Sequence, residues 1–97
     1  MFATCPESLT SIGSYAFRSC TSLEELTLPE GLTSIGDFAF QSCFSLEELT
    51  LPESLAELGK YAFDRCDSIT LIVHRGSRAE ELCREQGLEF IYSDSLD

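Results

Sequence analysis

Basic side chains are in short supply: six Lys and Arg stand against 17 Asp and Glu, a formal net charge of −11 over 97 residues. Nucleic acid and anionic lipid are held by Lys and Arg that displace counterions from phosphate, so neither is an expected partner. A basic protein, a cation or an uncharged partner fits the balance better. Long apolar runs are also missing. No stretch approaches the roughly 20 residues of a membrane helix, and no membrane insertion is expected. Met1-Phe2-Ala3-Thr4-Cys5-Pro6 has neither the basic start nor the apolar core of a signal peptide. Histidine occurs once, at His74. What the chain does contain is apolar matter, 43% hydrophobic residues including seven Phe and three Tyr. That is enough for a core in one small domain and argues against disorder.

The dominant feature is a repeat of period 23. Residues 5–27 (CPESLTSIGSYAFRSCTSLEELT), 28–50 (LPEGLTSIGDFAFQSCFSLEELT) and 51–73 (LPESLAELGKYAFDRCDSITLIV) align without a gap. The first two agree at 17 of 23 positions and the last two at nine, too many for chance. A unit this short cannot bury its own apolar side chains, so the copies must stack. Leu23, Leu26 and Leu28, repeated as Leu46, Leu49 and Leu51, end in a two-residue alternation that reads as a short strand. Pro29 and Pro52 end it, having no N–H for a parallel ladder. Leu32 and Ile35 then point inward, Gly36 offers a bend, and Phe38-Ala39-Phe40 reads as a helical or 3₁₀ turn. Equivalent positions form columns that predict the core: Leu9/Leu32/Leu55, Ile12/Ile35/Leu58, Ala16/Ala39/Ala62, Phe17/Phe40/Phe63 and Cys20/Cys43/Cys66.

These residues resemble the BspA-like subtype of leucine-rich repeat. Its pattern, roughly L-x-x-I-G-x-x-A-F-x-x-C-x-x-L-x-x-[VL]-x-[IL]-P, stands here as LTSIGDFAFQSCFSLEELTLP at 32–52, and the likeness spans about three quarters of the chain. The resemblance implies an α/β repeat fold, a right-handed solenoid with short parallel strands on its concave side. It also implies binding of other macromolecules at microbial surfaces, with the protein secreted or on the cell surface. Fold alone does not fix function.

The division expected is 1–73 for the repeats and 74–97 for a closing cap. Ser77 and Glu80 make a capping box for a helix over 77–86, with Ala79, Leu82 and Cys83 as its apolar stripe. Gly87 ends the helix, 88–92 reads as a strand, and 93–97 as a loose tail. At the amino end the register starts in mid-strand, with Ala3, Thr4 and Cys5 where Leu26, Thr27 and Leu28 stand. Two readings stay open: the last part of a longer array, or a small protein whose uncapped amino edge pairs with another chain.

Chemistry finds little foothold. Cys20, Cys43 and Cys66 recur one period apart, but a straight row of thiols cannot surround a metal tetrahedrally; with Cys5 and Cys83 they read as small buried hydrophobes, free thiols donating weakly to carbonyls. That suits a reducing or anaerobic setting better than an oxidising one. His74 falls in register with Leu28 and Leu51 and reads as a turn or edge residue, not a base for a cysteine nucleophile. Glu24-Glu25 and Glu47-Glu48 split across alternating strands instead of converging. No catalytic residue, metal site or cofactor is expected. What remains is surface. Glu25, Thr27, Glu48 and Thr50 point away from the leucines, flanked by Phe2 and Thr4 on one side and Leu71 and Val73 on the other. This acidic, hydroxyl-bearing face is the expected docking patch for a protein partner, with Glu25, Thr27, Glu48, Thr50 and Leu71 as its residues. A second acidic row, Glu7, Glu30 and Glu53, follows the prolines and reads as a solvated edge. The function expected is a non-enzymatic interaction module; the alternative is an end-cap for a longer surface-protein array with no site of its own.

Overall fold

A computed structural model describes the backbone of residues 2–96 and the side chains of 5–94. Each repeat lays down two short strands. The first set is β1 (Phe2–Thr4), β3 (Glu25–Thr27), β5 (Glu48–Thr50) and β7 (Thr70–Val73); the second is β2 (Ser11–Ile12), β4 (Ser34–Ile35) and β6 (Glu57–Leu58). After β7 come helix α1 (Arg78–Gln86), strand β8 (Phe90–Tyr92) and a 3₁₀ turn, Ser93–Leu96. All pairing is parallel. One sheet runs β1-β3-β5-β7-β8 and the other β2-β4-β6.

The core lies between the sheets and the turns, built from the columns read in the sequence. Leu23, Leu46, Leu32, Leu55, Ala39, Phe40 and Cys43 are all at 1% exposure or less. The first repeat is looser, with Ala16 exposed and Leu9, Phe17 and Cys20 half-buried. Among the described residues no further repeat covers its amino-ward side. Glycine is required where repeats approach most closely. A Cβ on Gly36 would lie 2.5 Å from Ser14 N, and one on Gly59 closer still to the Asp37 and Gly36 backbone.

Four expectations are corrected. Phe38-Ala39-Phe40 is not helical or 3₁₀; it lies in consecutive turns where Tyr15, Phe38 and Tyr61, and then Ser19, Ser42 and Arg65, take left-handed conformations with φ between 55° and 62°. Such a φ costs an aromatic residue about 1–2 kcal/mol. Ladders between repeats offset it: Tyr15 N–H donates to Asp37 C=O, Phe17 to Ala39 and Ser19 to Gln41 at 3.1, 2.7 and 2.7 Å, and Phe38, Phe40 and Ser42 do the same to Lys60, Ala62 and Asp64. Next, the inward Ile12 and Ile35 belong to a second sheet, whose two-residue strands are too short to show an alternation.

The third correction concerns register. Between Cys66 and Leu71 the third repeat is one residue shorter than the second between Cys43 and Leu49. Glu48 therefore pairs with Thr70, Leu49 with Leu71 and Thr50 with Ile72. A one-residue slip exchanges the two faces of a strand, so Leu71 and Val73 are core residues at 2% and 0% exposure, not surface ones. His74 accordingly follows the Leu51 position instead of occupying it. Finally, the tail is ordered into the 3₁₀ turn, and the last strand is confined to Phe90–Tyr92.

The helix follows its sequence signals closely. Ser77 is the N-cap, its hydroxyl accepting from Glu80 N–H at 3.2 Å, while Glu80 Oε1 accepts from Gly76 N–H at 2.8 Å. Gly87 closes the helix at φ 70°, and Leu88 N–H donates to Cys83 C=O. Ala79, Leu82 and Cys83 are buried. Gln86 Nε2 reaches back to the carbonyls of Leu58 and Gly59 at 2.9 and 3.3 Å, meeting the outward edge of β6.

Candidate functional site

The outward face of the five-stranded sheet carries a groove of about 380 Å³. On β3 and β5, Leu26 and Leu49 turn into the core, which obliges Glu25, Thr27, Glu48 and Thr50 to face out, and all four are exposed. Glu25 pairs with Glu48 in the ladder. Four of the five expected docking residues are thus brought together, and the fifth, Leu71, is withdrawn into the core. The side chains of Phe2 and Thr4, expected to flank the patch, lie outside the described residues.

Three features of the groove escaped the sequence reading. Glu30 and Glu53, read as a separate edge row, join Glu25 and Glu48 along the same groove. Ile72 and His74 take the carboxyl-ward flank, and the His74 Nδ1 lies 3.0 Å from Ser93 Oγ. The shortfall of one residue after Cys66 was the signal that would have found them. Beside the groove, Glu24, Glu25, Glu47 and Glu48 line a shallower depression of about 450 Å³ with Ser68 and Thr70, so the glutamate pairs gather where a split was expected. No Lys or Arg lines either hollow. Charges of one sign on adjacent strands, about 4.8 Å apart, repel. A cationic partner relieves that repulsion. Among the described residues, no group of three or more His, Cys, Asp and Glu is placed to hold a metal ion.

The cysteines serve packing. All five are free thiols. Cys43 Sγ donates to Phe17 C=O at 3.1 Å and Cys66 Sγ to Phe40 C=O at 2.9 Å, one link per repeat step. Burial pushes Cys66 and Cys83 up to about 11 and raises Cys43. The thiolate is the reactive form. At pH 8 Cys66 and Cys83 should therefore be alkylated at least about 100-fold more slowly in the folded protein than in denaturant, and Cys43 also more slowly, while in denaturant all five should titrate. Rapid labelling of Cys83 in the native state would contradict this packing.

In the closing segment one carboxylate gathers several donors. Glu80 is held down to about 2 by the Gly76 N–H first, then by Arg84 and the Tyr92 hydroxyl, which donates to its Oε2 at 2.8 Å. Arg84 Nη2 lies 2.8 Å from the same oxygen, and Arg75 stacks over the Tyr92 ring at 3.9 Å. A carboxylate whose folded value lies below its unfolded one contributes stability that is present above the unfolded value and is lost as pH falls through the folded one. That window runs from about 4.5 to about 2 here. Glu80→Gln should flatten acid unfolding in that window relative to the parent, read by circular dichroism; an unchanged acid limb would remove Glu80 from the account.

Parallel strands repeated at a fixed period, a leucine-lined core and one exposed sheet face define the class as a leucine-rich repeat. The family model of the BspA type leucine rich repeat region (6 copies) matches residues 2–81, and the chain belongs to that family. Such repeats are generally non-enzymatic and commonly mediate protein interactions. No curated protein and no solved structure matches the chain. No helix among the described residues is long and apolar enough to cross a membrane.

Proposed function

We propose that the chain is a right-handed leucine-rich solenoid acting as a non-enzymatic protein-interaction module. Residues 1–73 form its repeats and 74–97 its closing segment. Its concave sheet face takes a basic or mixed-charge segment of a protein partner through Glu25, Thr27, Glu48 and Thr50. The observation that carries this reading is the groove in which Glu25, Glu30, Glu48 and Glu53 meet without a compensating Lys or Arg. Ile72, itself buried at 4% exposure, borders the groove at its carboxyl-ward side but offers a partner little apolar surface. Electrostatic complementarity of this kind steers encounter and selects partners more than it adds raw affinity.

The test is a double charge reversal, Glu25→Lys with Glu48→Lys. Both side chains are exposed, so folding should survive. Binding of a model peptide of alternating Lys and Leu should weaken by about 10–100-fold at low salt. Unchanged binding would remove Glu25 and Glu48 from the contact, and no binding by the parent protein would favour the second reading, a segment that closes a longer surface-protein array and binds nothing itself. That reading draws on α1 and β8, which close the carboxyl side of both sheets.

A further inference from the structure

The turns hold a row of donors that has partners twice and lacks them once. Across the first step, Tyr15, Phe17 and Ser19 give their N–H groups to the carbonyls of Asp37, Ala39 and Gln41; across the second, Phe38, Phe40 and Ser42 give theirs to Lys60, Ala62 and Asp64. The third set, the N–H groups of Tyr61, Phe63 and Arg65, points the same way, and among the described residues no carbonyl accepts from them. In their path lies a groove of about 820 Å³ lined by Lys60, Tyr61, Phe63, Arg65, Glu85 and Leu88, among others. The helix that closes the chain satisfies the β6 carbonyls through Gln86 but leaves this row open.

The rings tell the same story. Tyr15 stacks on Phe38 at 5.3 Å between centroids, Phe38 on Tyr61 at 5.4 Å, and Tyr61 is 65% exposed. The inner stack, Phe17 on Phe40 on Phe63, ends differently, because Phe63 is only 7% exposed. A segment entering the groove therefore finds room for one aromatic ring over Tyr61 and only for small side chains in the positions that follow.

We infer that this groove is a backbone-capture site for a turn-forming segment of another protein, x-aromatic-small-small-x, which takes up the consecutive turns of Asp37–Gln41 and Lys60–Asp64 and whose alternate carbonyls accept from Tyr61, Phe63 and Arg65. The molecule displays the occupant's geometry twice, in Asp37–Gln41 and Lys60–Asp64, each seated on the preceding row. Main-chain hydrogen bonds supply affinity and alternate side-chain positions supply selectivity, as in strand addition at a sheet edge. The donors are held in place by the repeats behind them, so little ordering is required on this side of the contact. Lys60 and Arg65 on the rim are balanced by Asp64 and Glu85, which selects a neutral segment. That separates this site from the acidic groove, whose partner is cationic.

The protein contains no tryptophan, so a Trp-bearing peptide can be observed alone. The probe is acetyl-Ser-Trp-Ala-Ala-Gln-Ser-amide, followed by fluorescence anisotropy, with amide exchange of the protein read by NMR. Anisotropy should rise saturably, and the Tyr61, Phe63 and Arg65 amides should exchange at least about tenfold more slowly at saturation. The rise should be lost with Trp replaced by Ser, with the Ala pair replaced by Ile, and in Tyr61→Ser protein of unchanged circular dichroism. Three results would overturn the inference: no saturation up to about 2 mM peptide, binding that survives Tyr61→Ser, or protection of the three amides that rises with protein concentration alone. The last would make a second copy the occupant. Charge reversal at Glu25 and Glu48 should leave peptide binding unchanged, so the two sites fail or stand separately.

Discussion

Phe40→Ala should cost about 3–5 kcal/mol, the range for truncating a fully buried aromatic. The ring has no exposed surface and is sandwiched between Phe17 at 5.1 Å and Phe63 at 5.4 Å, nearly parallel to both. Its loss opens a cavity in the middle of the column and removes two ring contacts at once. A domain of this size loses about 4–8 °C in Tm per kcal/mol, so the transition should move by at least about 12 °C, measured by calorimetry. Tyr61→Ala, one position along the outer stack, removes a ring that is mostly in water and touches one neighbour, and should cost no more than about 1 kcal/mol. Equal costs at the two positions would mean that the outer stack bears as much of the fold as the inner.

The second large effect comes from adding a single carbon. Gly36 and Gly59 each face the backbone of the repeat before, and a methyl group at either would overlap main-chain atoms that cannot rotate away. Gly36→Ala and Gly59→Ala should each destabilise by about 2–3 kcal/mol through forced separation of the repeats. Gly13 occupies the same column, yet nothing lies within 4 Å of its would-be Cβ. Gly13→Ala should be neutral or gain about 0.4–1 kcal/mol by stiffening the unfolded chain. Urea unfolding of the three variants checks the contrast. A similar loss at Gly13 would point to a conformational cause common to the column and away from close approach.

Much of this was legible because stacking turns a period into columns. The leucines, the Ala-Phe pair and the cysteines could be placed in the core from their recurrence, and the closing helix from Ser77, Glu80 and Gly87. The register of β7 was missed because an ungapped alignment of 51–73 conceals the residue dropped after Cys66; the leucine pattern at Leu71 and Val73 was there to be matched to Leu49 and Leu51. The turn conformation was hidden for another reason. No local preference puts Tyr15, Phe38 or Tyr61 at positive φ; hydrogen bonds to the neighbouring repeat make it tolerable, donated by Tyr15 and Phe38 and, beside Tyr61, accepted by the carbonyls of Lys60 and Ala62. The acidic groove was half visible, since alternation places Glu25 and Glu48, but only the way the chain folds back brings Glu30 and Glu53 beside them.

The directions of the ladders carry a consequence for length. In the turns every N–H of the row points toward the following repeat, whereas in the smaller sheet Thr33, Gly36, Ala56 and Gly59 send theirs back to Thr10, Ile12, Thr33 and Ile35. The peptide dipoles of the two columns therefore oppose one another. An α-helix adds its dipoles head to tail and develops partial charges at its ends; a stack of these repeats largely cancels them. Repeats can be added or removed without these two columns building up a backbone dipole along the axis, so the field of a longer array is set by its side chains.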